Sequence, residues 1–313
     1  MPFEWPNVEQ MTYRLWRLRR LWALCALLPM AVIIAVSLAG NGPVPVHFVS
    51  LAIVGIAALV TLHIVLFPNV AHETTALSAA LTGLVCALPF LRDLGALAPA
   101  EHAQSAMVLA ALAALIGTGL AMALLAPLLK LLCFAGPVIR RPIHTQIDLA
   151  CSVSVARQQY ALQPQTRRGR ILTGQADAQG LFDVAICSGH EFDPDAAEQP
   201  LVARVTAKIL QAGPDSHAVM LLLPCGALTV SAFRFIARPG GCRVQLSEIP
   251  GDFTPGMYLH YWLTDQQGDT LSEVADRITG QPERANGLAH GVSFLSLAGL
   301  VLSPSEPVAD RAK

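Results

Sequence analysis

Four long runs of apolar residues occupy the first part of this sequence, and they constrain its fold more than any other feature. Each run has roughly the length, about 20 residues, that an α-helix needs to cross the hydrocarbon core of a bilayer. They extend over residues 21–39, 46–67, 75–91 and 105–126, and the last continues toward residue 133. The sequence therefore predicts a membrane α-helical bundle of four transmembrane helices within residues 1–139.

The charged residues divide the chain into two parts. Residues 1–139 contain six Lys/Arg and five Asp/Glu, whereas residues 140–313 contain fifteen and seventeen. The Gly/Pro/Arg-rich stretch 136–144 is typical of a hinge between a membrane part and a soluble domain. The absence of a strong basic excess gives a nucleic-acid partner no electrostatic support. The seven cysteines have no paired spacing, which favours reduced thiols in a cytosolic setting over disulfides or a metal site.

Basic residues near the apolar runs predict the orientation in the membrane. Four arginines alternate with Trp16 and Trp22 before the first run, which indicates an interfacial anchor, and Lys130, Arg140 and Arg141 follow the fourth run. Cytoplasmic loops are enriched in Lys and Arg, so both termini are expected in the cytoplasm. We expect an integral protein, most simply of a bacterial inner membrane, with its soluble domain on the cytoplasmic side.

Few polar residues interrupt the apolar runs. Arg92 and Asp93 either form an intramembrane charge pair or mark the end of the third run at the interface, and the second alternative is favoured. His63 either binds a metal or proton or, as is more common, makes a local hydrogen bond. In the fourth run, small residues at regular spacing predict close helix packing within the bundle or self-association between chains: Ala110, Ala114, Gly117 and Ala121.

The second half of the chain has the alternation typical of half-buried β-strands. Residues 146–155 alternate between apolar and polar side chains, and residues 170–187 indicate a hairpin with its turn at 177–180. Strand-like segments follow in quick succession up to residue 249. We predict about seven strands that end in an antiparallel meander, with a bulge near Ala232 and Phe233.

The segment 258–281 has the pattern of an amphipathic helix. Leu271, Val274 and Ile278 recur at helical spacing, and Gly280 is a typical C-terminal stop. The acidic residues fall mostly on the other side and are expected to face solvent: Asp265, Asp269, Glu273 and Asp276.

This order of elements resembles the START-like, or SRPBCC (polyketide cyclase/dehydrase-like), superfamily. The stretches "IDLACSVSVARQQY" and "YWLTDQQGDTLSEVADRITG" carry the likeness, as the opening strand with its first helix and as the closing helix. The resemblance implies an α+β helix-grip domain, an antiparallel curved sheet with a long C-terminal helix, over residues 140–282. The region around Pro164 departs from the pattern, because it is too short for two helices. Residues 283–313 are expected to form an apolar and flexible tail.

A helix-grip fold implies an apolar cavity for a hydrophobic ligand. We therefore expect a membrane-tethered protein that binds or presents a lipid or isoprenoid-like molecule, in contact with membrane lipids and with no cofactor or metal. The expected lining residues are the apolar side chains of the later strands and of the closing helix: Val205, Met220, Leu222, Val230, Phe233, Tyr258, Trp262, Leu271, Val274 and Ile278.

Two alternatives remain at this point. The soluble domain could dock a membrane-protein partner through the acidic face of its closing helix, as an assembly subunit. Alternatively, a cyclase/dehydrase-type enzyme would need an acid/base pair, for which Tyr258, His260 and Asp265 are the nearest candidates. The favoured interpretation of this segment is that Tyr258, Tyr261 and Trp262 are aromatic anchors that pack the helix onto the sheet, and that Asp265 and Asp269 interact with the positive end of the helix dipole.

Two further segments lack a matching motif. The loop that contains His190, Glu191, Asp193 and Asp195 could bind a cation, but its spacing favours a solvated loop. The apolar segment 287–303 is short for a fifth span and could lie on the membrane or on the domain.

Overall fold

The computed structural model describes residues 5–39, 46–95, 103–187 and 201–280. These residues separate into two compact units, one formed by residues up to Leu132 and the other by residues from Cys133 onward.

Helices form the first unit. They are α1 (Val8–Arg17), α2 (Arg19–Ala39), α3 (Val46–Leu66), α4 (Ala71–Gly95) and α5 (Ala103–Phe134). Packing between α2 and α4 and between α2 and α3 holds the unit together.

Three helices in the described part of the chain are long and apolar enough to cross a membrane, not the four that we predicted. They are Arg19–Ala39, Val49–Leu66 and Val108–Phe134. The interval 75–91 lies within α4, whose first two turns contain the polar residues Glu73, Thr74 and Ser78. Three crossings would place the two ends of the helical unit on opposite sides of a membrane. These helices therefore do not support the prediction that both termini lie in the cytoplasm.

The short helix α1 begins with a capping box and is attached to α3 by a buried arginine. The Asn7 side chain accepts a hydrogen bond from the Gln10 backbone N–H (2.8 Å), and Gln10 Oε1 accepts one from the Asn7 N–H (3.0 Å). This reciprocal capping box satisfies two N–H groups that a helix start leaves unpaired. Near the other end, Arg14 is buried and its Nη1 donates to the Val65 carbonyl oxygen (2.5 Å). The Arg14 side chain therefore ties α1 to the end of α3.

In the described part of the second unit, an eight-stranded antiparallel sheet packs with three helices. Its elements are β1 (Ile143–Leu149), α6 (Val153–Tyr160), β2 (Arg167–Arg168), β3 (Ile171–Thr173), β4 (Leu181–Cys187), β5 (Leu201–Ala212), β6 (Ser216–Leu222), β7 (Leu228–Arg238), β8 (Gly241–Ile249), α7 (Pro255–Thr264) and α8 (Gln266–Thr279). The strand order is β1-β8-β7-β6-β5-β4-β3-β2. The first and last strands are thus neighbours, and α8 packs against β1. This arrangement is consistent with the helix-grip domain that we predicted.

Local signals explain where several elements begin and end. The strand predicted over 146–155 stops at Leu149, because the Ser152 hydroxyl accepts from the Val155 N–H (3.4 Å) and caps α6. The predicted turn at 177–180 is confirmed, since Asp177 Oδ1 accepts from the Leu181 N–H (2.9 Å). The bulge predicted near Phe233 is wrong: pairing is continuous there, and the register shifts after Ile186 and after Ile209.

The closing helical segment is broken into two helices. Asp265 adopts the left-handed conformation (φ 47°), ends α7 and precedes α8. Such a conformation costs about 1–3 kcal/mol for a residue other than glycine and interrupts the helical hydrogen bonds. Gly280 (φ 65°) ends α8, as the sequence predicted.

Candidate functional site

Strand pairing assigns each side chain of the sheet to one of two faces. Thr145, Leu246, Phe233 and His217 stand opposite one another on β1, β8, β7 and β6. Residues that are directly opposite, and those two positions along each strand, share a face. We call the face that contains these four residues the inner face, because α6 and α8 pack against it.

Two hydrophobic clusters cover the inner face. In the first, Val244 and Phe235 pack against Leu271 of α8 and Tyr160 of α6. The Tyr160 hydroxyl also donates a hydrogen bond to the Leu271 carbonyl oxygen (2.6 Å). This cluster fixes both helices on the β1, β8 and β7 side of the sheet.

The second cluster lies on β4, β5 and β6. Phe182, Ala207 and Val219 are buried beneath Leu162. Further apolar side chains around them are only partly buried: Ile171, Ala176, Ile186, Val205, Ile209 and Leu221. Because the main packing of α8 is on β1 and that of α6 on β7 and β8, this half of the inner face is apolar yet less fully covered.

The ten predicted cavity residues separate into three groups. Five belong to the inner-face clusters: Phe233, Leu271, Val274 and Ile278 to the first and Val205 to the second. Three lie on the outer face. Met220 and Val230 pair with each other and are three positions from the inner-face residues His217 and Phe233, and Leu222 is two positions beyond Met220.

The remaining two predicted residues belong to α7. The Tyr258 hydroxyl accepts from the Arg141 N–H and donates to the Arg141 carbonyl oxygen (2.8 Å each), so Tyr258 secures the hinge segment. Trp262 is 55% exposed. The expected packing of aromatic anchors on the sheet therefore does not apply to Trp262.

A polar network stands at the end of β8 on the inner face. Gln267 Nε2 and the Tyr261 hydroxyl donate to Glu248 Oε2 (3.2 and 3.5 Å), and the Thr145 hydroxyl donates to Gln267 Oε1 (2.5 Å). We call these four residues the Glu248 network. Burial raises the pKa of the Glu248 carboxyl, while the hydrogen bonds from Gln267 and Tyr261 oppose part of this shift. The folded protein therefore keeps the proton on Glu248 to a higher pH than an exposed carboxyl would.

The break at Asp265 makes the Glu248 network possible. Tyr261 and Gln267 are six positions apart, so a continuous helix would place them about 120° apart around its axis. Because α7 ends at Thr264 and α8 starts anew at Gln266, both side chains reach the same carboxylate oxygen.

A second buried polar group, His217, lies on the inner face of β6. Its ring is almost fully buried, and Nε2 has no hydrogen-bond partner in the described part of the chain. Burial lowers the pKa of His217, the nearby Arg168 and Arg157 lower it further, and a hydrogen bond to the Leu162 backbone works in the opposite direction. Together these effects favour the neutral form of the His217 ring.

Sequence reasoning missed Glu248 and His217, although a signal existed. In β8, Glu248 has the same strand phase as Val244 and Leu246, and in β6 His217 has the phase of Val219. A polar residue in phase with apolar ones is expected to face inward. Of the predicted acid/base candidates, Asp265 breaks the helix instead, and Tyr258 binds the hinge.

The acidic side of α8 is not solvated, contrary to our prediction. Asp269, Glu273 and Asp276 are buried. Glu273 accepts two hydrogen bonds from Arg170, at Nε (2.9 Å) and Nη2 (2.5 Å), and one from Arg277 (3.2 Å). The helix is enclosed on its polar side as well, because Arg170 precedes β3 and reaches across to it.

Two clefts open mainly on the outer face of the sheet. One, of about 590 Å³, lies across β1, β8 and β7 and includes His144, Gln146 and Arg234. The other, of about 550 Å³, lies at β5 and β6 and includes Arg204 and Leu222. Both linings combine charged or polar side chains with apolar ones, and the first also includes the inner-face residues Thr145, Phe233 and Leu246.

Several predicted features lie outside the described residues. These are the loop with His190, Glu191, Asp193 and Asp195, and the apolar segment 287–303. Within the described residues, no group of three or more His, Cys, Asp or Glu side chains could hold a metal ion.

Comparison with known proteins adds solved structures but no family. No family model matches the chain, and no curated protein matches it. It is similar to protein MLL2253 from Mesorhizobium loti (11% identity, 45% of this chain, 97% of that chain, TM-score 0.31). It is also similar to Ara h 8.0201 (10%, 46%, 100%, 0.31) and to the protein encoded by gene BPP1335 from Bordetella parapertussis (14%, 56%, 91%, 0.34). At these levels the similarities support no functional argument, so function must be argued from the residues.

Proposed function

We propose that this protein is a membrane-tethered binding protein that holds a hydrophobic small molecule, such as a lipid or isoprenoid, against the inner face of its sheet. One observation carries the proposal: the β4–β6 half of the inner face is apolar but only partly covered, and includes Val205, Ile209 and Leu221. Small-molecule sites combine such apolar surface with a few polar groups. The Glu248 network and His217 provide polar groups on the same face.

The helices of the first unit supply the tether in this proposal. An apolar ligand is concentrated in the bilayer, and a domain attached to the same chain meets it at a high effective concentration. The binding domain would comprise residues 140–282, as the sequence analysis outlined. Lys130, Arg140 and Arg141, which flank the end of α5, favour its location on the cytoplasmic side.

The test uses the full-length protein purified from membranes. Organic extraction and mass spectrometry should find a hydrophobic compound that co-purifies in a fixed ratio with the wild type. Val205→Phe places a larger side chain on the inner face and should lower the bound amount about tenfold, which corresponds to about 1.4 kcal/mol.

Thr206→Phe is the matched control, because Thr206 is the adjacent half-buried residue on the outer face. It should leave the bound amount unchanged. A wild-type protein that carries no such compound, or equal losses in the two variants, would contradict the proposal.

A second candidate function is a cyclase/dehydrase-type enzyme. The raised pKa of Glu248 favours it, because a carboxyl that keeps its proton can act as a general acid. In this case Glu248→Gln should still bind the compound but should change which compound accumulates, substrate instead of product. If the wild type and Glu248→Gln yield the same compound, the enzyme candidate is excluded and the binding function remains.

The assembly-subunit alternative loses its original surface. It relied on a solvent-exposed acidic face of α8, whereas Asp269 and Glu273 are buried within the second unit. A docking function would therefore require another surface.

The proposed cytoplasmic location can be tested with a native residue. Cys225 is exposed in the turn between β6 and β7. A membrane-impermeant thiol reagent should label it in inverted vesicles but not in intact cells. Labelling in intact cells would place the domain on the other side.

A further inference from the structure

A cluster of buried polar side chains lies inside the first unit, where α3 meets the start of α4. It consists of His63 of α3 and of Glu73, Thr74 and Ser78 of α4, and each of these residues is more than nine-tenths buried. Buried ionisable residues are rare in helices of membrane proteins and usually have a function, because their desolvation is costly. The proposed ligand site in the other unit does not use this cluster.

The two nitrogens of the His63 ring have different surroundings. Nδ1 lies 3.1 Å from the Thr74 hydroxyl oxygen, which is a hydrogen bond. Nε2 lies 4.0 Å from Glu73 Oε2, too far for a hydrogen bond, and has no partner in the described residues. The Ser78 hydroxyl is also buried, and none of the residues that the structure describes forms a hydrogen bond with it. The local hydrogen bond expected for His63 thus exists, but it leaves a buried nitrogen opposite a carboxyl group.

We propose that His63 and Glu73 form a proton-binding site in the helical unit. A hydronium ion gives its proton to the ring nitrogen Nε2: one O–H bond breaks, one N–H bond forms, and a water molecule is released. In the resulting imidazolium both nitrogens carry protons, so Nδ1 donates to Thr74 and Nε2 donates to the Glu73 carboxylate. A charged hydrogen bond of this type is about 2.8 Å long, so Nε2 and Oε2 approach by about 1.2 Å.

A proton suits this site better than a larger ligand does. The polar atoms are enclosed, and two potential ligands of the His or carboxyl type are too few for a metal ion. A proton needs no cavity, and it converts an unpaired buried nitrogen into one that has a charged partner. Proton binding therefore strengthens the contact between α3 and α4.

Other charged groups around the cluster modify its proton affinity. From α1, the buried Arg14, which bonds to the Val65 carbonyl, and the buried Arg17 oppose the binding of a proton. Glu73 favours it, because its Oε2 lies 4.0 Å from Nε2. The other titratable or charged residues of these helices are Glu9 and Tyr13 of α1, Arg19, Arg20 and Cys25 of α2, His47 of α3, His72, Cys86, Arg92 and Asp93 of α4, and Lys130 and Cys133 of α5.

The experiment follows His63 by NMR in the full-length protein, with isotope-labelled histidine rings, in lipid nanodiscs. His63→Gln identifies the His63 signals, and their pH dependence gives its proton affinity. In Glu73→Gln, which is nearly isosteric, this affinity should fall at least tenfold, because the opposite charge is lost. His72→Gln is the matched control and should leave the His63 affinity unchanged within about twofold.

Two results would overturn the proposal. One is a His63 ring that does not titrate between about pH 4 and pH 9, a range that covers ordinary histidines and shifts of about two units. The other is an affinity that is unchanged in Glu73→Gln. Should that variant not fold, Thr74→Val replaces it: loss of the Nδ1 partner should weaken proton binding several-fold, and an unchanged affinity would count against the site.

Discussion

The ion pair between Arg170 and Glu273 should contribute strongly to the stability of α8. It is bidentate, with distances of 2.9 Å (Nε to Oε1) and 2.5 Å (Nη2 to Oε2). The two side chains are only 14% and 11% exposed. Their removal from water has a cost that the matched partner and the Arg277 contact (3.2 Å) help to offset.

Glu273→Gln removes the negative charge while it preserves the size of the side chain. Breaking a buried pair by removal of one partner costs about 3–5 kcal/mol, because a buried charge is left without compensation. Since about a tenth of each side chain still meets solvent, the lower end, about 3 kcal/mol, is expected here. A change of this size alters the equilibrium for local opening by about 150-fold.

Hydrogen exchange of the full-length protein, followed by mass spectrometry, measures this opening directly. Peptides from residues 266–279 should exchange about 150-fold faster in Glu273→Gln than in the wild type, within the limit set by global unfolding.

Asp148→Asn is the control. Asp148 forms a bidentate pair of similar geometry with Arg243 (2.6 and 2.7 Å), but its side chain is 65% exposed. Exposed pairs contribute little, so exchange in β1 should hardly change. A change of less than about threefold in α8, or equal effects of the two substitutions, would refute the idea that burial makes the Glu273 pair important.

Three further predictions concern the second unit. Leu271→Ala should destabilise it by about 3 kcal/mol in denaturant unfolding, because it leaves a cavity in the first cluster, whereas Trp262→Ala at an exposed position should have a much smaller effect. Tyr160→Phe should cost about 1 kcal/mol through loss of the hydrogen bond to the Leu271 carbonyl, with no change in the helix content measured by circular dichroism. The raised pKa of Glu248 means that the folded protein keeps a proton that the unfolded chain has already lost, so its stabilising effect is complete below about pH 4.5 and decreases as the pH rises through the folded-state pKa. The unfolding free energy of the wild type should therefore decrease relative to that of Glu248→Gln over this range, and a difference that stays constant or increases would contradict the assignment.

Much of the fold could be predicted, because it depends on local periodicity. The apolar runs predicted α2, α3 and α5 and the interval that became part of α4. The alternation and turn residues predicted the antiparallel strands and the Asp177 turn. Spacing of Leu271, Val274 and Ile278 identified the face of α8 that packs on the sheet, and Gly280 its end.

The errors arose where distant residues decide the outcome. The acidic side of α8 looked solvent-exposed, since a helical pattern cannot reveal that Arg170, more than a hundred residues earlier, covers Glu273. Met220 was expected in the cavity although its phase places it on the outer face, because a half-buried apolar residue occurs on either side of a sheet. His63 was read as an isolated histidine, because Glu73 belongs to the next helix.

The sequence by itself determined where most helices and strands lie and which face of α8 is apolar, since these properties depend on neighbours within a few residues. Only the tertiary structure decided that Tyr261 and Gln267 meet at Glu248 and that buried His217 Nε2 has no partner among the described residues. It also decided that His63 stands opposite Glu73. The physical reason is that hydrogen bonds and ion pairs act over about 3–4 Å in space, and the chain brings such atoms together through turns and strand pairings whose geometry no short stretch of sequence contains.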